Sequence, residues 1–295
     1  MHRFFISLGT LLLVGSWTSG VSLAAIPRGN PSHHSGPSIP KLTIPVKVYR
    51  GFLVVAEGQF GGALVHQNFV LDTGTAPSIL NSRVAKQLGL ALTSGHETEM
   101  SGDHPSDIAV LPELDIGPIR ALSLPVVVLD LSRLERDLGI PVAGQLGLDV
   151  LGRANFRLDY RLNSLDFGEV EPKGLSIPLD PGSSIAVLRV TVAGESIRLL
   201  LDTGTNRLVI FGRRSGEPLP RPFFVPAREE KIAAGLTIET HQVDLQMANA
   251  KFSVDKAYLI PRSEDSFFDG VVGVRALGIQ AIAFDSKTRT LYLSR

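Results

Sequence analysis

From Leu42 onward, apolar and polar positions alternate in short runs broken by Gly and Pro, the period-two pattern of half-buried strands. Phe52–Ala56 and Ala63–Leu71 are the first two runs, rich in Val and Phe. Glu57-Gly58-Gln59-Phe60-Gly61-Gly62 between them predicts a turn. It lacks the Lys-Ser/Thr ending of a phosphate loop and leads into a strand, not a helix. A short helix is predicted over Arg83–Leu88, capped by Asn81 or Ser82 and ended by Gly89. Strands follow at Asp107–Leu111, Leu114–Ile116 and Leu124–Leu129, with a hairpin tip at Ser101-Gly102-Asp103. A second short helix is expected over Leu131–Leu138, then strands over Phe156–Tyr160 and Ser164–Phe167. Many short strands and few helices make the expected fold class all-β.

The pattern then restarts. Leu42-Thr43-Ile44-Pro45 recurs as Leu175-Ser176-Ile177-Pro178. A second hairpin follows, Val187–Val192 and Ser196–Leu201 around a turn at Ala193-Gly194-Glu195. Gly144 to Gly168 aligns without gaps on Gly270 to Ser294, so Gly147, Leu151, Asp159 and Leu165 fall on Gly273, Leu277, Asp285 and Leu291. The offset between copies drifts by a few residues, as loop insertions in a duplicated domain produce. This is a twofold duplication, not a solenoid, which needs three or more short repeats. Glu169–Gly174 is the natural boundary, giving an N-terminal lobe over 42–170 and a C-terminal lobe over 171–295. Asp159 and Asp285 lie between expected strands and are read as turn residues.

In each copy the second hairpin strand ends in the same four residues: Asp72-Thr73-Gly74-Thr75 and Asp202-Thr203-Gly204-Thr205, about 130 positions apart. One copy alone is explained by an Asx turn; two matched copies point to chemistry. Two carboxylates brought close together cannot both ionise cheaply, so they share a proton and titrate as a pair. The ionised member takes a proton from water while the neutral one donates to a substrate carbonyl. Gly74 and Gly204 permit a sharp turn that leaves N–H groups near each carboxylate. Thr75 and Thr205 add hydroxyl donors favouring the ionised form, which points to an acidic optimum. The candidate catalytic pair is therefore Asp72 and Asp202, supported by Thr73, Gly74, Thr75, Thr203, Gly204 and Thr205, with no metal or cofactor called for.

Val70–Leu80 and Leu200–Ile210 resemble the active-site loops of pepsin-like and retropepsin-like aspartic peptidases. Gly144–Leu148 and Asp269–Val274 resemble the apolar-apolar-Gly segment that passes behind each loop in that family. The resemblance spans nearly all of Leu42–Arg295, in two copies, and is nearest in style to bacterial exported proteins with two retropepsin-like repeats. It implies two pseudo-symmetric lobes with a cleft between them, Asp72 and Asp202 as the dyad, and Thr73 and Thr203 linking the loops beneath it. Three features depart from the family pattern. Gln145 stands where an apolar residue is usual, the flap tyrosine of pepsins has no counterpart in Met100–Val110, and Gly212 and Gly216 break the segment after Thr205.

Composition narrows the setting. The chain has 295 residues, 44% of them hydrophobic, enough for two ordinary cores. Its 29 acidic and 29 basic side chains balance, so nothing points to a nucleic-acid partner. Arg213–Arg214 with Arg221 reads as a solvated loop. With no Cys, disulfides, thiolate zinc sites and cysteine nucleophiles are excluded. His2–Arg3, an apolar Phe4–Val14 and small residues at Ser22 and Ala24 read as a signal peptide over 1–24, followed by a flexible linker over 25–41. Export to the periplasm or medium is expected, with no stable membrane insertion after cleavage. His33–His34 sits in that linker without a fixed third ligand, and His66, His96, His104 and His241 are expected at surfaces or in loops. The expected partner is a peptide or protein substrate, and because both carboxylates come from one chain a monomer suffices. The expected activity is that of an aspartic endopeptidase; the alternative is a non-catalytic peptide- or protein-binding module on the same fold.

Overall fold

A computed structural model describes residues 41–99, 102–180, 183–192, 194–211, 228–231, 237–247, 250–260 and 268–295. The signal peptide, His33–His34, the Arg213–Arg214–Arg221 cluster and the Gly212–Gly216 segment lie outside the described residues, as do Ser101 and Ala193 of the expected turns. The chain opens with β1 (Leu42–Pro45), β2 (Lys47–Tyr49), β3 (Leu53–Phe60), β4 (Leu64–Leu71) and β5 (Ile79–Asn81). Helix α1 (Ser82–Gln87) leads to β6 (Thr93–Glu99), β7 (Gly102–Ile116), β8 (Ile119–Leu129), α2 (Ser132–Leu138), β9 (Gly144–Leu146) and α3 (Leu148–Leu151). Next come β10 (Phe156–Asp159), β11 (Ser164–Phe167) and β12 (Leu175–Pro178). The second copy runs β13 (Val187–Val192), β14 (Glu195–Asp202), β15 (Leu208–Phe211), β16 (Arg228–Lys231), β17 (Thr237–Met247) and β18 (Ala250–Ile260). It ends with β19 (Gly270–Gly273), a 3₁₀ turn (Arg275–Leu277), β20 (Ala281–Asp285) and β21 (Thr290–Ser294).

Each copy closes into a barrel. In the first, the order β3-β4-β9-β5-β8-β7 returns to β3 through Gln59 opposite Asp115. In the second, β13-β14-β19-β15-β18-β17 returns to β13 through Thr191 opposite Gln246. Closure removes the exposed edges that an open sheet would present. The equivalent strands are those the sequence repeat pairs, so the all-β, two-lobe architecture expected from sequence is the one observed.

A third sheet joins the lobes, in the order β1-β11-β10-β20-β21-β12. At its centre β10 pairs antiparallel with β20, Leu158 opposite Ile282. The recurring Leu-Thr/Ser-Ile-Pro strands, β1 and β12, form its two outer edges. Fully buried Phe156 and Phe284 meet across the β10–β20 seam, with ring centroids 5.8 Å apart. The two lobes are thus held by main-chain bonds and a shared core, which fixes how their loops face one another.

Several expectations change in detail. The Glu57–Gly62 turn shrinks, because β3 continues to Phe60 through a register shift between Gly58 and Phe60. Phe60 is buried edge-on against Phe69, 5.3 Å between centroids, and that burial keeps the chain in the sheet. Asp107–Leu111 and Leu114–Ile116 are one strand, since pairing resumes across Pro112 with Leu111 opposite Leu124 and Glu113 opposite Leu122. Gly102 and Asp103 are not a tip but are paired with Glu99 and Thr98. Asn81 is the cap of α1, its side chain accepting from the Arg83 N–H. Asp159 and Asp285 are turn residues, accepting N–H bonds from Arg161 and Leu162 and from Lys287 and Thr288. His66 is exposed, but His241 is buried on β17, correcting its assignment to a surface or loop. It shares the inward face of that strand with Val243 and Leu245, which alternation dictates.

Candidate active site

Strands β4 and β14 deliver Asp72 and Asp202 to one point. The apolar residues before each aspartate, Phe69 to Leu71 and Leu199 to Leu201, are buried and anchor the strand end. Behind each strand runs a parallel partner, β9 behind β4 and β19 behind β14. The Asp72 N–H donates to the Leu146 carbonyl at 2.9 Å, and the Val274 N–H donates to the Asp202 carbonyl at 3.1 Å. The loops cannot drift from their barrels.

Beneath the aspartates the lobes are cross-linked. The Thr73 N–H donates to Thr203 Oγ1 at 3.0 Å, and the Thr203 N–H donates to Thr73 Oγ1 at 3.2 Å. Each hydroxyl then donates across the interface, Thr73 to the Leu201 carbonyl at 3.0 Å and Thr203 to the Leu71 carbonyl at 2.8 Å. All four bonds are buried, so each satisfies polar groups that water cannot reach.

Above this link the two carboxyl groups come together: a Cβ placed on Gly204 would stand 2.6 Å from Asp72 Oδ2 and 3.0 Å from Asp202 Oδ1. Both residues are almost wholly buried, Asp72 at 3% and Asp202 at 1% exposure. Gly74 and Gly204 donate their N–H groups to Oδ1 of Asp72 and Asp202 respectively. Each glycine also backs onto the opposite aspartate: a Cβ on Gly74 would stand 2.8 Å from Asp202 Cγ, and one on Gly204 2.6 Å from Asp72 Oδ2. No side chain fits there, which is the physical reason for Gly in both copies.

Electrostatics separate the pair from ordinary carboxylates. Burial pushes Asp202 well above its usual range, and the neighbouring Asp72 carboxyl pushes it further, against the Gly204 N–H. Burial raises Asp72 as well, against the neighbouring Asp202 carboxyl, the Gly74 N–H and the Thr75 hydroxyl. The sequence expectation that Thr75 and Thr205 alike hold the pair low is thus corrected. Thr75 acts in that sense on Asp72, Thr205 Oγ1 accepts the Arg207 N–H at 3.2 Å, and desolvation outweighs the donors around both carboxyls.

The first lobe carries a second support. Ser78 Oγ donates to Asp149 at 2.7 Å and accepts the Gly147 N–H at 3.0 Å, while the Ser78 N–H donates to Asp149 at 2.9 Å. The repeat places apolar Leu208 at the equivalent position of the second lobe. Ser78→Ala strands the buried Gly147 N–H and is expected to cost about 1–3 kcal/mol, read as a lowered urea midpoint. Gln145, absent from the sequence-derived site, also lies here. It is 4% exposed and its amide Nε2 is 3.5 Å from Asp72 Oδ2. The signal was present as a polar residue in an apolar strand run; its target was visible only once β9 was placed beside β4.

All eight residues picked from the sequence fall within this one constellation, with Asp72 and Asp202 at its centre. Among the described residues, no group of three or more His, Asp or Glu side chains is placed to hold a metal ion. No helix among them is long and apolar enough to cross a membrane.

A family model described as aspartyl protease matches residues 56–150, from β3 to α3 of the first lobe. With two closed barrels and paired loops, that match gives the chain the two-lobe aspartic-peptidase-like fold, and it supports a function of the aspartic-protease kind and peptide substrates. No curated protein matches the chain.

Proposed function

We propose that this aspartic-protease-type chain is an endopeptidase in which Asp72 and Asp202 together activate water. The observation that carries the reading is the buried carboxyl pair that two cross-linked loops, one from each lobe of one chain, bring together. With one proton between them, the ionised carboxylate takes a proton from water as its oxygen bonds to the peptide carbonyl carbon. The protonated partner gives its proton to the carbonyl oxygen. In the second half the first carboxyl passes its new proton to the amide nitrogen, and the other recovers one from the diol hydroxyl. The C–N bond breaks, and acid and amine leave with the pair restored. Gly74 and Gly204 each hold the carboxyl group of their own loop through an N–H bond, and Thr73 and Thr203 hold the loops together. Because the pair is built within one chain, one copy suffices. The signal-peptide-like pattern of residues 1–24, followed by the linker over 25–41, supports a reading of export to the periplasm or medium.

The mechanism needs one carboxyl ionised and one protonated, so the pH profile is bell-shaped. Activity is lost at low pH as the pair takes a second proton, and at high pH as it loses its last one. Burial raises both groups above the ordinary 3.8, so both limbs are expected above that value and the maximum at weakly acid pH. A mixed peptide library incubated from pH 3 to 8 tests this, with products sequenced by mass spectrometry. Internal cleavage that peaks between the limbs and vanishes toward pH 8 is expected. Cleavage rising steadily with pH would rule the dyad out. Peptides retained but never cut would move the reading to a binding module.

A further inference from the structure

The two halves of the pair are not equivalent, and the difference lies one strand behind them. Gln145 on β9 is in register with Val70 of β4 and Ile79 of β5. Alternation puts Asp72 on the same face as Val70, two residues on. That face is otherwise apolar, with Leu53, Val55, Val70 and Ile79 packed against Leu131, Leu134 and Leu138 of the α2 region. In the second lobe the repeat puts Val271 at the position of Gln145, buried with Leu200 and Val209. A buried amide among aliphatic side chains is costly unless it is bonded. The Gln145 Nε2 group is directed at Asp72 Oδ2, 3.5 Å away. Asp72 thus gathers donors from Gly74, Thr75 and Gln145, whereas the Gly204 N–H faces Asp202 with an aliphatic residue behind it.

We infer that Gln145 is a positioning residue that assigns the two carboxyls different roles. Its amide N–H selects Asp72 as the member that stays ionised and takes the proton from water. Asp202 is left as the member that holds the shared proton and gives it to the carbonyl oxygen. A donor favours the charged form of the carboxylate it faces, and the charge on one member keeps the proton on the other. The other titratable groups packed nearby are neutral or have partners of their own. Tyr160, at the end of β10, is buried and neutral, its phenol pushed far up by desolvation. Arg275 lies over the Tyr160 ring at 5.2 Å, bonded to the Ile279 carbonyl and the Gln280 side chain. Asp149 is committed to Ser78. The role assignment rests on the dyad reading above, but not on turnover for its test.

Carbonyl-¹³C NMR of the wild-type protein, with the two resonances assigned from Asp72→Asn and Asp202→Asn, follows each carboxyl through its titration. Asp72 is expected to ionise first. In Gln145→Met, which keeps the length and removes the donor, the Asp72 step is expected to rise by about half a pH unit. The acid limb of kcat/KM should move with it, while the Asp202 step moves far less. Asp202 ionising first in the wild type, or an unmoved Asp72 step in folded Gln145→Met, would overturn the inference. Asp202 ionising first in the wild type overturns the inference even if Gln145→Met does not fold. The expected titration without any peptide cleavage would support the role of Gln145 while defeating the endopeptidase reading.

Discussion

Asp202→Asn is expected to leave a folded chain whose kcat/KM falls at least about 1000-fold, and Asp72→Asn is expected to fall as far. Asparagine keeps an oxygen for the glycine N–H but carries no acidic proton to give and no charge with which to take one. Either change therefore removes the acid or the base outright, and the remaining carboxyl cannot do both jobs. Stability should move the other way. The folded-state value of Asp202 is raised above 3.8, so between 3.8 and that value the native state binds more protons than the unfolded chain. Wild-type stability then falls as pH rises through that window. Asp202→Asn removes a buried ionisable group from this balance. It should match wild type near pH 3.5 and exceed it at pH 7 by roughly 1–3 kcal/mol. Thermal melts at the two pH values, beside the kinetics, check both halves of the prediction. Equal melting differences at both pH values would mean that the carboxyl pair does not titrate as its burial dictates.

The second large effect belongs to the cross-link. Thr203→Val preserves shape and removes the hydroxyl that accepts from the Thr73 N–H and donates to the Leu71 carbonyl. Both partners are left buried without water, at about 1–3 kcal/mol each, so a loss of about 3–5 kcal/mol is expected. Thr203→Ser keeps both bonds and loses one methyl group, which costs about 1 kcal/mol. Urea denaturation of the three proteins separates the two outcomes through their midpoints. Because Thr73 repeats the arrangement from the other side, Thr73→Val should be as damaging, and the double variant should cost less than the sum. An unchanged midpoint in Thr203→Val would show that the lobes do not depend on this bridge.

Much of this was legible from residue order. The second copy of Asp-Thr-Gly-Thr, and the ungapped match of Gly144–Gly168 with Gly270–Ser294, disclose both lobes and the paired loops before any coordinate is seen. Strand pattern places β13 and β11 to the residue, because both are bounded by turn residues and packed on a continuous core. Other features depend on contacts distant in sequence. Pro112 reads as a break, yet β7 runs past it because its neighbours pair with β8 on either side. The β10–β20 seam pairs residues from different halves, and no local signal specifies it. His241 looks like a loop histidine until β17 turns its side chain inward beside Val243. Gln145 was visible as an oddity without a purpose, since its effect depends on a register between β4 and β9 that apolar periodicity does not encode.

The measurement that bears most directly on the carboxyl pair is hydrolysis of one cleaved peptide in ¹⁸O-water at weakly acid pH, by wild type, Asp72→Asn and Asp202→Asn. Folding of each is verified by circular dichroism. Wild type should place one ¹⁸O in each new C-terminal carboxylate, and neither variant should release product above background. Cleavage that survives in either variant would mean that water is activated elsewhere and that the Asp72–Asp202 pair is not the catalytic centre.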